Sequence, residues 1–195
     1  MSLLLAASMC ISAKVLLCSF DGGIAADHSD FGRVQPVVAE GFQLTPRGQG
    51  CPANPQGRAL DAGFSSARPG RLAFEIPPDA DLRQGTIELW FRPAWGSGHR
   101  SHHCLVHIKL EGGRWHGIWL GYHGTIGPQS EAFGANIMDG LDHPCYVWNA
   151  RELRWEPGQW HHVAFTWTEH SEWLFIDGRL WAKVRLRAPL RIGRN

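Results

Sequence analysis

Histidine and cysteine side chains crowd into the segment His99–Cys104, whose sequence HRSHHC supplies three imidazoles and one thiol. Zinc binds these groups, but a closed zinc site needs four ligands, usually from two separated pairs, and no second pair with regular spacing follows. A second cluster, WHHV, is predicted to be a β-strand, where neighbouring side chains point to opposite faces. His161 and His162 therefore cannot hold one ion together. We expect these histidines to be structural, with one ring hydrogen-bonded inside the fold.

Tryptophan side chains are the second set of candidates for ligand binding. The chain has ten indoles in 195 residues, which exceeds ordinary usage, and an indole can stack on the C–H face of a sugar ring. The segment GTIELWFRPAW (85–95) alternates, so Trp90 lies on the face opposite the apolar residues and is predicted to face outward. The alternative is that a loop or a further strand covers this ring. The candidate ligand-binding residues are Trp90, Glu88 and Arg92 on this strand, and Trp95, Trp148 and Trp155 in loops or at strand ends.

Many short strands joined by turns are predicted along the chain, because 23 glycines and 12 prolines recur at short intervals and helical periodicity is hard to find. The Asp177-Gly178 step between EWLFI and RLWAKV favours a type I′ turn, which predicts a hairpin. Residues 127–158 are predicted to be loop, apart from one strand, CYVWN, and a short helical turn. The other predicted strands are LLCSF, VQPVV, FQLT, GRALDAG, GRLAFEIP, GTIELWFRPAW, HCLVHIKL, RWHGIWLGYHG and WHHVAFTW.

Length and charge limit the classes of protein that the chain can represent. A chain of 195 residues suits a single domain. The net charge of +1 provides no basic face for nucleic acid or an acidic membrane surface. No apolar stretch is long enough to span a bilayer, so no transmembrane segment is predicted.

The first residues resemble the apolar region of a secretory signal, although no Lys or Arg precedes the run Leu3–Ala13. Residues 1–13 are therefore predicted to be a signal peptide or N-terminal extension, with the domain at 14–195 and a secreted or cell-surface location. The alternative is that this run begins the folded domain. Cleavage after Ala13 would leave four cysteines, Cys18, Cys51, Cys104 and Cys145. That even number suits one or two disulfides in an oxidising compartment.

Six motifs occur in a fixed order across about residues 14–195: FDG (20–22), GRAL (57–60), GTIELWFRPAW, GQWHHVAFTW, WLFIDGRLWA and RIGR (191–194). Their order and gaps resemble those of the LamG-like members of the concanavalin A-like lectin and glucanase superfamily. The resemblance implies an all-β fold, a two-sheet antiparallel β-sandwich of the jelly-roll type. Such domains are commonly extracellular and bind glycans or proteins, often as one module of a larger polypeptide. The family's next strand falls beyond Asn195, which predicts a fragment or an open edge on the first strand.

The resemblance also raises glycoside hydrolysis, which requires two carboxyl groups close together. In the retaining glucanases of this superfamily they lie two or four residues apart on one strand. Asp79 and Asp81 lie in a turn, Glu152 and Glu156 run into Pro157, and Glu88 stands alone on its strand. We therefore expect a non-catalytic recognition module that binds carbohydrate. A protein-interaction or adhesion domain without a sugar site is the first alternative, and a hydrolase is the second.

Calcium is the one cofactor that the resemblance implies, since lectins of this superfamily often hold the ion in loops through carboxylates and carbonyls. The candidate ligands are Asp27, Asp30, Asp139 and Asp142. The alternative is that these are ordinary exposed acids in turns. The predicted partner is a glycan or an extracellular protein, and the sequence leaves the oligomeric state open.

Overall fold

The computed structural model describes residues 16–30, 35–63, 70–76, 80–110, 116–124, 132–138, 145–149, 153–190 and 192. These residues form fourteen β-strands and no helix, which confirms the all-β prediction. The strands are β1 (Leu16–Leu17), β2 (His28–Ser29), β3 (Pro36–Glu40), β4 (Gln43–Leu44), β5 (Leu60–Asp61), β6 (Arg71–Phe74), β7 (Gly85–Phe91), β8 (His103–Lys109), β9 (Gly117–His123), β10 (Ala132–Met138), β11 (Cys145–Asn149), β12 (His161–Thr168), β13 (Ser171–Ile176) and β14 (Arg179–Arg185). Nothing in this part of the chain is an apolar helix long enough to cross a bilayer.

Two four-stranded antiparallel sheets dominate the fold. The β9 sheet has the strand order β11-β10-β9-β8, and the β12 sheet has the order β14-β13-β12-β7. Three two-stranded ladders, β1-β2, β3-β6 and β4-β5, are built from the first part of the chain. All of these strand pairs are antiparallel.

The inner faces of the two large sheets share one hydrophobic core, which is consistent with a β-sandwich. Val163 and Phe165 on β12 are fully buried, as are Leu120 and Tyr122 on β9 and Phe133 on β10. Each such side chain contributes about 1.5–3 kcal/mol by leaving water. The alternation predicted for β12 is confirmed, because every second residue from His161 to Trp167 is buried.

Strands β2 and β10 were not predicted. The residues of β10, the longer of the two, were expected to be loop. Its segment AFGANIM contains Gly134 and Asn136, which are common in turns. Phe133, Ala135 and Ile137 nevertheless alternate toward the core. On the opposite face Gly134 is buried and Asn136 is half-buried, so little of the polar half of the alternation is left.

Gly117 opens β9 in a backbone conformation, φ 139°, that side chains rarely adopt. A Cβ at this position would collide with the carbonyl oxygen of Ile108 on the paired strand β8. We expect Gly117→Ala to lower the free energy of unfolding by about 3 kcal/mol, measured by urea denaturation. Gly22→Ala is the matched control, because a Cβ there meets no atom closer than 4.0 Å. Equal stability of the two variants would contradict the prediction.

Candidate functional site

The outer face of the β12 sheet carries Trp90 and Glu88, two of the six side chains expected to bind a ligand. Trp90 on β7 lies directly across from His162 on β12, and Glu88 lies across from Ala164. The alternation of GTIELWF is confirmed: Phe91 is buried, whereas Trp90 and Glu88 keep 36% and 63% of their surfaces exposed.

Trp90, His162 and Glu88 form one connected group at the β7 edge of this face. The Trp90 and His162 rings have their centroids 4.9 Å apart at a tilt of 45°. His162 Nε2 donates a hydrogen bond of 2.8 Å to Glu88 Oε1. The imidazole therefore fixes the carboxylate beside the indole, and a flat apolar surface stands next to a hydrogen-bond acceptor.

The other half of the outer face provides a second aromatic flank. Trp173 on β13 pairs with Thr166, and Phe175 pairs with Ala164. Both aromatic residues are half-buried. Strands β7 and β13 are separated by β12 alone, so the two flanks lie about 10 Å apart. Between them are the small side chains of Ala164 and Thr166, and Thr166 Oγ1 hydrogen-bonds Thr86 Oγ1 at 3.1 Å.

Arg92 follows β7 and is not gathered into the Trp90 group. Its guanidinium lies over the Trp160 ring, 5.2 Å from the centroid, in a cation–π contact. Both residues lie just outside their strands. Arg92 thus places a positive charge beyond the end of the aromatic face.

Trp95 and Trp155, two of the predicted ligand-binding residues, are buried in the core. Trp95 stacks on His103 with centroids 4.7 Å apart, and Trp155 stacks on His161 at 4.5 Å. A loop tryptophan can close the open end of a sandwich as readily as it can face solvent, and position in the chain does not distinguish the two. Neither ring offers a face to a ligand in this structure. The Trp148 side chain lies outside the described residues.

His161 and His162 point to opposite faces, as predicted from the strand. His161 is buried, and its Nδ1 donates to Asp177 Oδ2 at 2.9 Å. The other oxygen of the same carboxylate accepts the backbone N–H of His162 at 2.9 Å. Asp177 has φ 50° and Gly178 has φ 74°, which confirms the hairpin predicted between β13 and β14. The turn therefore holds both the inner and the outer histidine in place.

On the outer face of the β9 sheet, His102 and Cys104 of the HRSHHC segment meet Trp119 and His123, which were not identified from the sequence. The Trp119 and His123 rings are 4.5 Å apart, and His102 meets His123 at 5.0 Å. Burial, with a smaller effect from His102, lowers the pKa of His123 to about 4. Burial raises the pKa of Cys104 to about 11, against a smaller lowering by a hydrogen bond with Trp119. The imidazole is therefore neutral and the thiol protonated at pH 7. Alternation along RWHGIWLGYHG could have indicated this cluster.

The candidate metal-binding residues are used in other contacts. His99 and His103 stack on each other at 5.0 Å. Within the described ranges, no group of three or more His, Cys, Asp or Glu residues is arranged to hold a metal ion. Asp27 accepts the backbone N–H of Ser19, and Asp30 pairs with His28 at 3.1 Å. Asp139 and Asp142 lie outside the described residues.

The described carboxylates do not bring a catalytic pair together at this site. Glu88 faces outward, Asp81 forms an ion pair with Arg83 at 2.6 Å, and Glu172 points into the core. Asp79 and Glu152 lie outside the described residues. A second acid opposite Glu88 would be needed for glycoside hydrolysis.

Cys18, Cys51 and Cys104 are free thiols, so the structure contains no disulfide among the described cysteines. The side chain of Cys145 lies outside the described residues. The disulfide expected from the even number of cysteines is therefore not seen for these three, and the prediction of an oxidising compartment gains no support from them.

Comparison with protein-family models and with curated proteins finds no match. The LamG-like resemblance therefore stays a prediction from the motifs.

Proposed function

We propose that this domain is a non-catalytic recognition module that binds carbohydrate on the outer face of the β12 sheet. The observation that carries the proposal is the exposed Trp90 ring held beside Glu88 by His162. Sugar recognition needs both an aromatic platform for the C–H face of the ring and nearby hydrogen-bonding groups for its hydroxyls.

The shape of the face supports an extended glycan. Trp90 with His162 forms one flank, Trp173 with Phe175 forms the other, and the small Ala164 leaves room between them. Thr86 and Thr166 add hydroxyl groups. Two aromatic flanks would accommodate neighbouring sugar units, because each can stack on one ring.

We propose that the domain itself is a jelly roll of the concanavalin A-like superfamily. Two packed four-stranded antiparallel sheets support it, as do the motif order and the Asp177-Gly178 hairpin. Because a fold hosts many functions, the binding proposal rests on the residues of the outer face.

A glycan array followed by calorimetry tests the proposal. We expect Trp90→Ala to weaken binding of the best array ligand tenfold or more, because the stacking surface is lost. Tenfold corresponds to about 1.4 kcal/mol of binding free energy. Glu88→Gln should have a smaller effect, since the amide still accepts a hydrogen bond. Trp119→Ala, on the outer face of the other sheet, is the matched control.

The outcome that would contradict carbohydrate binding is an array without saturable signal for any glycan, or a Trp90→Ala protein that binds as wild type does. Unfolding temperatures of the three variants separate loss of binding from loss of fold. Repeating the titration in EDTA tests calcium: unchanged affinity would remove the ion from the proposal.

A protein-interaction domain is the second candidate, and an exposed apolar residue favours it. Leu180 on β14 is 48% exposed and pairs with Phe175 on the same face. Together with Trp90 these side chains could form an apolar contact surface. Loss of partner binding on Leu180→Glu, with glycan binding absent, would favour this candidate over the first.

A further inference from the structure

A polar cleft lies in the first part of the chain, on elements that belong to neither large sheet. It is formed by β4, β5 and the turn after β4 and has a volume of about 480 Å³. That volume falls within the range of small-molecule sites. Its lining residues are Gln43, Leu44, Thr45, Pro46, Gln49, Arg58 and Asp61.

Arg58 is held at this cleft by the first motif of the sequence. Asp21 Oδ1 accepts the backbone N–H of Arg58 at 2.9 Å, and Asp21 Oδ2 accepts the Asn54 side-chain amide at 2.6 Å. Gly57 is buried against this contact, and a Cβ there would collide with the Asp21 carboxylate. The FDG and GRAL motifs therefore meet, and their contact sets the position of the arginine.

Arg58 differs from Arg71 and Arg83, the described arginines that form an ion pair with a carboxylate. Arg71 pairs with Glu40 at 2.9 Å and Arg83 with Asp81 at 2.6 Å. Across the described residues, no carboxylate lies within ion-pair distance of Arg58, and its buried Nε has no hydrogen-bond partner. The buried Nε is not exposed to a ligand, so a carboxylate in the cleft would be received end-on, through two parallel hydrogen bonds from the terminal N–H groups of the planar guanidinium.

The remaining lining groups suit a hydroxylated ligand. Gln43 donates to Asp61 Oδ2 at 3.3 Å, which orders one amide and leaves its carbonyl oxygen to accept. The Gln49 amide can both donate and accept. Leu44 and Pro46 supply apolar surface for C–H groups.

We propose that the cleft binds a carboxylate-bearing sugar of the hexuronic acid class, with Arg58 as the carboxylate-binding residue. This site goes beyond the glycan face around Trp90 and does not depend on it. The acid group selects the ligand, and the amides of Gln43 and Gln49 contact its hydroxyls.

Titration of the full chain with D-glucuronate, followed by NMR of the side-chain N–H signals, tests the proposal. Saturable shifts of the Arg58 Nε–H and of the Gln43 and Gln49 amides are expected with glucuronate. D-glucose and acetate should produce much weaker shifts at the same concentrations. Arg58→Lys should weaken glucuronate binding at least tenfold, because an ammonium keeps the charge but loses the paired donors.

Arg71→Lys is the matched control, since Arg71 is exposed and already paired with Glu40. If Arg58→Lys lowers stability, Gln49→Ala at an exposed position serves as the second variant. It should weaken glucuronate binding several-fold. Equal shifts with glucose would overturn the role of the acid group, and equal shifts with acetate would overturn the role of the sugar. The absence of saturable shifts at millimolar glucuronate would overturn the site, whatever the result at Trp90.

Discussion

Replacing Glu172 with glutamine is expected to raise the free energy of unfolding by up to about 5 kcal/mol at pH 8 and to leave it nearly unchanged at pH 4. Glu172 has no exposed surface, and neither of its carboxyl oxygens has a hydrogen-bond partner in the described structure. It lies on the inner face of β13, between Trp167 on β12 and Val184 on β14. A carboxylate in such surroundings is strongly disfavoured, so the native state keeps the acid protonated.

The direction of the pH effect follows from this protonation. Burial raises the pKa of Glu172 from its ordinary value of about 4.5 to about 8. Below pH 4.5 both the folded and the unfolded chain hold the proton, and no stability is lost. As the pH rises toward 8, the unfolded chain releases the proton while the folded chain retains it, so stability falls by about 1.4 kcal/mol per pH unit. Glutamine cannot ionise and removes this slope.

Urea denaturation of wild type and Glu172→Gln between pH 4 and pH 9 measures the effect. Glu156→Gln is the control, because Glu156 is exposed and its replacement should leave the slope unchanged. Parallel curves for wild type and Glu172→Gln would mean that the carboxyl group ionises freely in the folded protein. With a total stability of 5–15 kcal/mol typical of domains, the wild type should be markedly weaker in alkaline solution.

Asp177→Gly should cost about 3 kcal/mol of stability, although glycine fits the backbone of this turn. Asp177 Oδ2 is the partner of the buried His161 Nδ1, and Oδ1 is the partner of the His162 N–H. Glycine accepts the positive φ without strain but leaves both donors unmatched. Removing the partner of a buried polar group costs more than an average hydrogen bond contributes.

Asp177→Asn is the matched comparison, and we expect it to cost less than 1 kcal/mol. Asn-Gly favours the same turn, and the amide oxygen still accepts the His162 N–H. Thermal unfolding of both variants, with and without the glycan that binds at Trp90, measures stability and binding together. If glycine and asparagine were equivalent, the carboxylate contacts would contribute nothing.

Strands β7, β12 and β13 were predictable because in each of them more buried residues alternate with more exposed ones. Ile87, Leu89 and Phe91 alternate with Trp90 and Glu88 as expected, and Asp177-Gly178 forms the predicted turn. β10 was missed because its outward positions hold Gly and Asn, and Gly134 there is buried as well. Alternation is visible in a sequence only where the second face meets water.

The candidate site was predictable only in part, for two physical reasons. Trp90 and Glu88 were identified because they lie on a regular strand, whereas the burial of Trp95 and Trp155 depends on how loops close the core. Contacts between distant segments could not be predicted either. His162 hydrogen-bonds Glu88, which is 74 residues away in the chain, and Asp21 hydrogen-bonds Arg58, which is 37 residues away. Glu172 did leave a signal, since it lies two residues before Leu174 and shares its inward face.

The partner of β7 has a consequence for how the chain folds. Strands β12, β13 and β14 follow one another and pair as neighbours, whereas β7 pairs with β12 although strands β8 to β11 lie between them in the sequence. Pairing β7 with β12 closes a loop of about 70 residues. This loop closure has an entropic cost that pairing between consecutive strands does not have. The β12–β13–β14 meander should therefore form first, and β7 should dock late. Because β7 carries Trp90 and Glu88, the proposed glycan face would be the last part of the β12 sheet to become complete during folding.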